Sequence, residues 1–281
     1  MADDFRRYTR RHIRSSRKSV RALSWLNKLS MTNLLIIINV IAFIIIWLLL
    51  LAGVDLSAIG IQPSLIVQGE NLWTLFTSIF SHVYFYHLFF NMFSLFFIGN
   101  FLEKIIGRKR LFWIFIIAGL FGSLFFVASS LIFGNLDVVG LGASGAVFGI
   151  LGMLAVLVPR QRIYLIVGPL IVIILQALLM GVFPQAASTI SLVGNVIILF
   201  MIFAMFSFAT SLRKFAVPLE MRMWLLPIVA IVPLVIVGFF VDLPIGNSAH
   251  IGGLVAGLIY AFYLRKRYKR KTSMISKYFS K

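Results

Sequence analysis

A serine and a histidine can hydrolyse an acyl bond together when the imidazole comes within about 2.6–3.2 Å of the hydroxyl. The sequence offers such a pair. Ser144 sits in Gly142-Ala143-Ser144-Gly145, and His250 in Ala249-His250-Ile251-Gly252-Gly253. His87 and Asn91 stand at i and i+4, on one face of a helix. A neutral imidazole and an amide can each donate a hydrogen bond. With the backbone N–H of Ser144 they make a candidate oxyanion hole. The chain has no cysteine, which excludes a thiol nucleophile, thiolate metal sites and disulfides. The acid nearest His250 in sequence is Asp242, which falls in an expected exposed loop. The reading is a Ser–His dyad rather than a triad, with no metal and no cofactor.

The elements that must position these residues are membrane helices. Of 281 residues, 61% are hydrophobic and 12% charged, against about 45–50% and 25% in soluble domains. A bilayer can solvate that much apolar surface; a soluble core of this length cannot bury it. Eight apolar runs have the roughly 17–25 residues a span needs, or approach that length. They cover 33–52, 87–103, 111–133, 144–158, 163–182, 188–209, 223–241 and 248–264. All 26 Lys and Arg fall in 1–30, in alternate turns (104–110, 160–162, 213–222) and in the tail from Arg265. The opposite loops carry only Asp55, Glu70, Asp137 and Asp242 as charges. Basic residues collect in cytoplasmic loops, so both termini are expected inside. The net charge of +18 would indicate nucleic acid in a soluble chain. Placed this way it orients spans and attracts anionic lipid, so the expected surroundings are a lipid bilayer and no nucleic acid.

This topology puts Ser144 and His250 at the outer ends of two spans, at one depth. Gly253 and Gly257 lie three and seven residues beyond His250, and Gly145, Gly149 and Gly152 repeat beyond Ser144. Small residues at such intervals let membrane helices pack backbone to backbone. Phe148, one turn below Ser144, is placed to press on the imidazole. Each signal also has a plainer reading. A serine among glycines is common helix packing, and His87 with Asn91 is common interhelical polar glue. The loop 53–86 is long, aromatic and charged only at Asp55 and Glu70, and is expected to lie partly in the interface.

In combination these motifs resemble the rhomboid intramembrane serine proteases. The resemblance rests on Gly-Ala-Ser144-Gly, Ala-His250-x-x-Gly253 and His87-x-x-x-Asn91. His82, Trp73 and Gly99-x-x-x-Glu103-x-x-x-Gly107 extend it. It covers about 33–107, 139–158 and 218–264. It implies that Ser144 is the nucleophile, His250 its base, and His87 and Asn91 oxyanion donors. His82, Gly142, Gly145, Phe148, Gly253 and Gly257 would support them. It also implies entry of a transmembrane substrate between the second and fifth core helices, where Phe89, Phe90 and Phe93 would face Phe239 and Phe240. Two departures stand out. Trp73-Thr74 replaces a frequent Trp-Arg. The family core has six spans, with one between the serine and histidine helices, where this chain has three. The expected fold is therefore an all-α polytopic membrane protein, a rhomboid-like six-helix core with an inserted helical pair at 163–209.

The expected organisation is a basic cytoplasmic segment at 1–30, a membrane domain at 31–264 and a basic cytoplasmic tail at 265–281. The first apolar run has no small-residue cleavage site after it, which makes it a retained anchor. The absence of a targeting peptide points to a prokaryotic plasma membrane. The expected partners are transmembrane protein substrates; the sequence does not give an oligomeric state. Two other function classes compete. A non-cutting rhomboid-like binder would usually have lost the Ser or the His. A transporter would carry charge at mid-span, and no span does.

Overall fold

The computed structural model describes residues 29–206, 212, 214–238 and 246–279. Most of the expected segment 1–30, and Phe239, Phe240 and Asp242, lie outside the described residues.

Helix α1 covers Met31–Leu51. The first N–H groups of a helix have no partner within it, and α1 takes them from outside. Asn33 N–H donates to Ser30 Oγ (3.1 Å). Met31 N–H, Thr32 N–H and Thr32 Oγ1–H donate to the Glu103 carboxylate at 2.7, 2.9 and 2.7 Å. Glu103 thus caps a helix whose first residues lie 71 and 72 positions before it. Helix α2 covers Phe85–Ile106, with a π-turn at Leu95–Gly99. At Gly99 a Cβ would stand 2.9 Å from Thr32 Cγ2, so a glycine is needed for this close approach. Gly107, at φ +85°, turns the chain into α3, Arg108–Phe133. Helix α4, Ser144–Leu157, is the centre of the bundle, with nearly every residue buried.

The helix expected over 163–182 begins only at Gly168. Before it, β1 (Arg162–Ile166) pairs antiparallel with β2 (Pro218–Arg222), in register from Arg162 opposite Arg222 to Ile166 opposite Pro218. Ile163, Tyr164 and Ile166 favour extended backbone. Pro169 is favoured in the first turn of a helix, where its missing N–H leaves no bond unmade. Between the strands run α5, Gly168–Val182, and α6, Ala187–Phe206. They are glued by Gln176, whose amide donates to Ser191 C=O (3.1 Å) in the space Gly194 leaves open.

The chain then forms α7, Leu226–Gly238, with Pro233 inside it. Helix α8, Asn247–Arg267, packs on α3 and α4. The tail is not simply a basic extension: Lys269–Tyr278 forms α9, and Ile275 and Phe279 pack on the core. Among the described residues, four helices are long and apolar enough to cross a membrane: Met31–Leu51, Phe85–Ile106, Arg108–Phe133 and Pro184–Phe206. Ser144–Leu157, Gly168–Val182 and Met223–Pro233 are shorter and apolar. The protein is a mostly helical membrane protein.

Candidate active site

The segment before α4 is shaped by the loop between α1 and α2. Ile61 and Gly140 exchange two backbone hydrogen bonds at 2.8 Å. Gly142 N–H donates to Ser78 C=O at 2.9 Å. Ala143 N–H donates to His82 Nε2 at 3.3 Å. The loop is itself tied down. Trp73 Nε1–H donates to Ala58 C=O (3.0 Å), and Ser64 Oγ–H to Asp137 (3.0 Å). The N–H groups of Gly140, Gly142 and Ala143 are therefore engaged before the chain reaches Ser144, and the aromatic loop fixes the approach to that residue.

His82 is fully buried. Burial first, then the positive charge of a protonated His87, pushes its pKa down to about 3. A neutral ring is what the bond requires, because Nε2 can accept from Ala143 only when unprotonated. The His82 and His87 rings meet edge-to-face at 5.0 Å.

Ser144 begins α4, and no side chain caps that helix terminus. Its first N–H groups point toward the start of the helix, where anionic charge is favoured. Ser144 Oγ lies 2.8 Å from His250 Nε2. The imidazole stacks on Phe148 at 4.5 Å with 19° between planes. His250 is buried, while Ser144 and His87 are half-buried.

Glycines create the approach that makes this distance possible. A Cβ on Gly253 would run into the Gly145 carbonyl, and one on Gly257 into the Gly149 carbonyl. A Cβ on Gly152 would lie 2.9 Å from Leu254 C=O. Gly122 on α3 meets the carbonyl of Ala249, the residue before His250, at 2.9 Å in the same sense. Backbones of α3, α4 and α8 thus touch at the level of the pair. At Gly142, φ is +125°, and a Cβ would stand 2.7 Å from His87 Cε1 and 2.9 Å from Nε2. Only glycine permits both that conformation and the ring lying over it.

Of the residues singled out from the sequence, Ser144, His250, Phe148, Gly142, His87 and His82 form one cluster. Asn91 lies one turn along α2 and turns its amide to its own helix, Nδ2–H donating to His87 C=O at 2.9 Å. The carbonyl of Ser78 and the N–H of Ala143 were not anticipated. Backbone partners distant in sequence leave no periodic signal.

The chain matches the Rhomboid domain over residues 69–200 and 191–267. It belongs to the rhomboid family. The matched residues include His82, His87, Ser144 and His250. This rhomboid is 41% identical over 106 residues to RHOMBOID-like protein 1 of Arabidopsis thaliana, covering 37% of the chain and 26% of that protein. It is 36% identical over 116 residues to Rhomboid protease GluP of Bacillus subtilis, covering 41% and 22%. It is 33% identical over 106 residues to Inactive RHOMBOID-like protein 8 of Arabidopsis thaliana, covering 37% and 29%. The matched part thus spans under a third of each of these three relatives. The rhomboid relatives are bacterial, plant and, in yeast, mitochondrial. Similarity therefore places the protein in a membrane without singling out a prokaryotic one.

Proposed function

We propose that this rhomboid is a serine endopeptidase that hydrolyses peptide bonds in or near transmembrane segments of other proteins. The observation that carries the proposal is the 2.8 Å separation of Ser144 Oγ and His250 Nε2, held by backbone-to-backbone packing of α4 on α8. Relatives of similar identity include a named protease and a named inactive protein, so the site and not the identity has to support activity.

His250 Nε2 takes the Ser144 proton as Oγ attacks the scissile carbonyl. The oxyanion is met by the Ser144 N–H at the uncapped start of α4, with His87 and Asn91 as further donors. His250 then gives its proton to the leaving amine, and water reverses the steps to release the acyl group. Phe148 and Gly142 position the imidazoles; Gly145, Gly253 and Gly257 set the helix distance. Water and substrate would reach the half-exposed side of Ser144 and His87.

Helices α1 to α4, α7 and α8 would form the six-helix core, with α5 and α6 inserted. The β1–β2 pairing supports this, because it brings the ends of the insertion side by side. The two pieces of the Rhomboid match also overlap within α6. The basic residues in alternate loops favour cytoplasmic termini and a site facing the outer side.

A serine-reactive fluorophosphonate probe tests the assignment. Wild type should be labelled and should cut a reporter transmembrane substrate in proteoliposomes. Ser144→Ala and His250→Ala should each lose both reactions with melting temperatures nearly unchanged, because the two side chains act as a unit. Equal cleavage by wild type and Ser144→Ala would end the proposal.

A further inference from the structure

At the end of the bundle remote from Ser144, α9 folds back under the helices. Ile275 and Phe279 pack on the core, with the Phe279 ring edge-on to Phe101 at 5.1 Å. This leaves a cavity of about 110 Å³. Its polar rim is Arg110, Lys271 and Thr272, and its apolar wall includes Leu157, Leu264 and Ile275. Arg110 is held in place at the cavity: its guanidinium lies 5.2 Å over the Tyr268 ring and donates to Tyr268 Oη at 3.4 Å.

Two cations on an apolar wall match one ligand chemistry, a phosphate ester on a hydrocarbon body; the Thr272 hydroxyl donates to the carbonyls of Tyr268 and Lys269 (3.1 and 3.2 Å) and only bounds the rim. No carboxylate lines the cavity among the described residues. The acid on the neighbouring turn of α2, Glu103, already accepts from Met31 and Thr32. Basic pockets between membrane helices at the headgroup level are suited to anionic lipid.

We propose that the cavity bounded by Arg110, Lys271 and Thr272 binds the phosphate headgroup of an anionic phospholipid. The bound lipid ties α9 to the ends of the two helices that carry Ser144 and His250. Leu157 ends α4, roughly 20 Å along the helix from Ser144. Leu264 lies on α8. The lipid stabilises the bundle from the far end and makes no contact with the site. This reading does not depend on proteolysis.

The test is lipid binding and thermal stability of the purified full chain. Phosphatidylglycerol should raise the melting temperature and remain bound in native mass spectra; phosphatidylcholine and inorganic phosphate should do neither. Arg110→Gln with Lys271→Gln should weaken phosphatidylglycerol binding by about fivefold per residue, roughly 25-fold for the pair. Lys269→Gln with Arg270→Gln removes the same charge from exposed positions that do not line the cavity, and should retain most of the binding. If the first pair does not purify, Lys271→Gln alone tests the same point at an exposed side chain. Equal losses in the two pairs, or none in the first, would overturn the proposal in favour of general surface attraction. An equal shift with inorganic phosphate would overturn the lipid in favour of a free anion.

Discussion

Asn91 and His87 share a face of α2 but stand differently toward Ser144. His87 lies over Gly142, next to the start of α4. Asn91 gives one amide hydrogen to the His87 carbonyl, which both fixes its side chain and leaves its second N–H for another acceptor. If that hydrogen meets the oxyanion, its contribution exists mainly in the transition state. Asn91→Ala should then lower kcat by about 10²–10³ and leave KM nearly constant. Steady-state cleavage in proteoliposomes reads the two constants separately. A raised KM with unchanged kcat would make Asn91 a substrate-binding residue. The spacing of His87 and Asn91 was legible in the sequence. The bond of His82 to Ala143 was not, because it joins residues 61 apart through a single ring nitrogen. His82 stood out only through the resemblance to a family.

At the scale of elements, glycine spacing was informative and apolar length was misleading. Gly145 and Gly149 face Gly253 and Gly257 across α4 and α8, as their intervals suggested. The apolar run from Ile163 to Ile166, by contrast, extends as a strand and not as a helix turn. A short run of β-branched and aromatic residues fits either state, and here the partner strand at Pro218–Arg222 decides. The same ambiguity hid α9, whose basic composition reads as a tail until its apolar residues find the bundle. The glycine contact makes a sharp prediction. In a helix, Gly→Ala normally stabilises, by about 1 kcal/mol. At Gly253 the added methyl meets the Gly145 carbonyl, a backbone atom that cannot rotate away. Gly253→Ala should therefore destabilise by about 1–3 kcal/mol, as overpacking does, and slow fluorophosphonate labelling as α8 shifts from α4. Gly246→Ala, at the N-cap of α8, is the control for an added methyl without overpacking, since among the described residues its Cβ would meet Ala249 Cβ at 3.6 Å alone. Thermal melts and labelling rates of both variants check this; an unaffected Gly253→Ala would show that the contact yields without cost.

For the whole molecule, the distribution of Lys and Arg predicted a topology, and any even number of extra spans leaves that pattern intact. Charge alone therefore could not say where an additional pair would sit; the pairing of β1 with β2 bears on the proposed insertion. Strand partners run from Arg162–Arg222 to Ile166–Pro218, so residues 167–217 leave and rejoin the chain at neighbouring points. Among the described residues of that segment few are buried, and of these Gln176 and Gly194 serve the α5–α6 contact itself. Its reach toward the candidate site includes one ring contact, Phe206 against Phe93 of α2 at 5.9 Å. The Arg162–Glu220 ion pair across the ribbon is exposed and adds little. Replacing 167–217 by a short Asn-Gly turn should close the ribbon as a hairpin; on the proposed topology it removes an even number of spans, so α8 would keep its direction across the bilayer. The trimmed chain should insert, melt in a single transition and label at Ser144 at a rate near that of the full chain. If it folds but no longer labels, α6 takes part in the site through Phe206. If it does not fold, α5 and α6 belong to the core and the six-helix description fails.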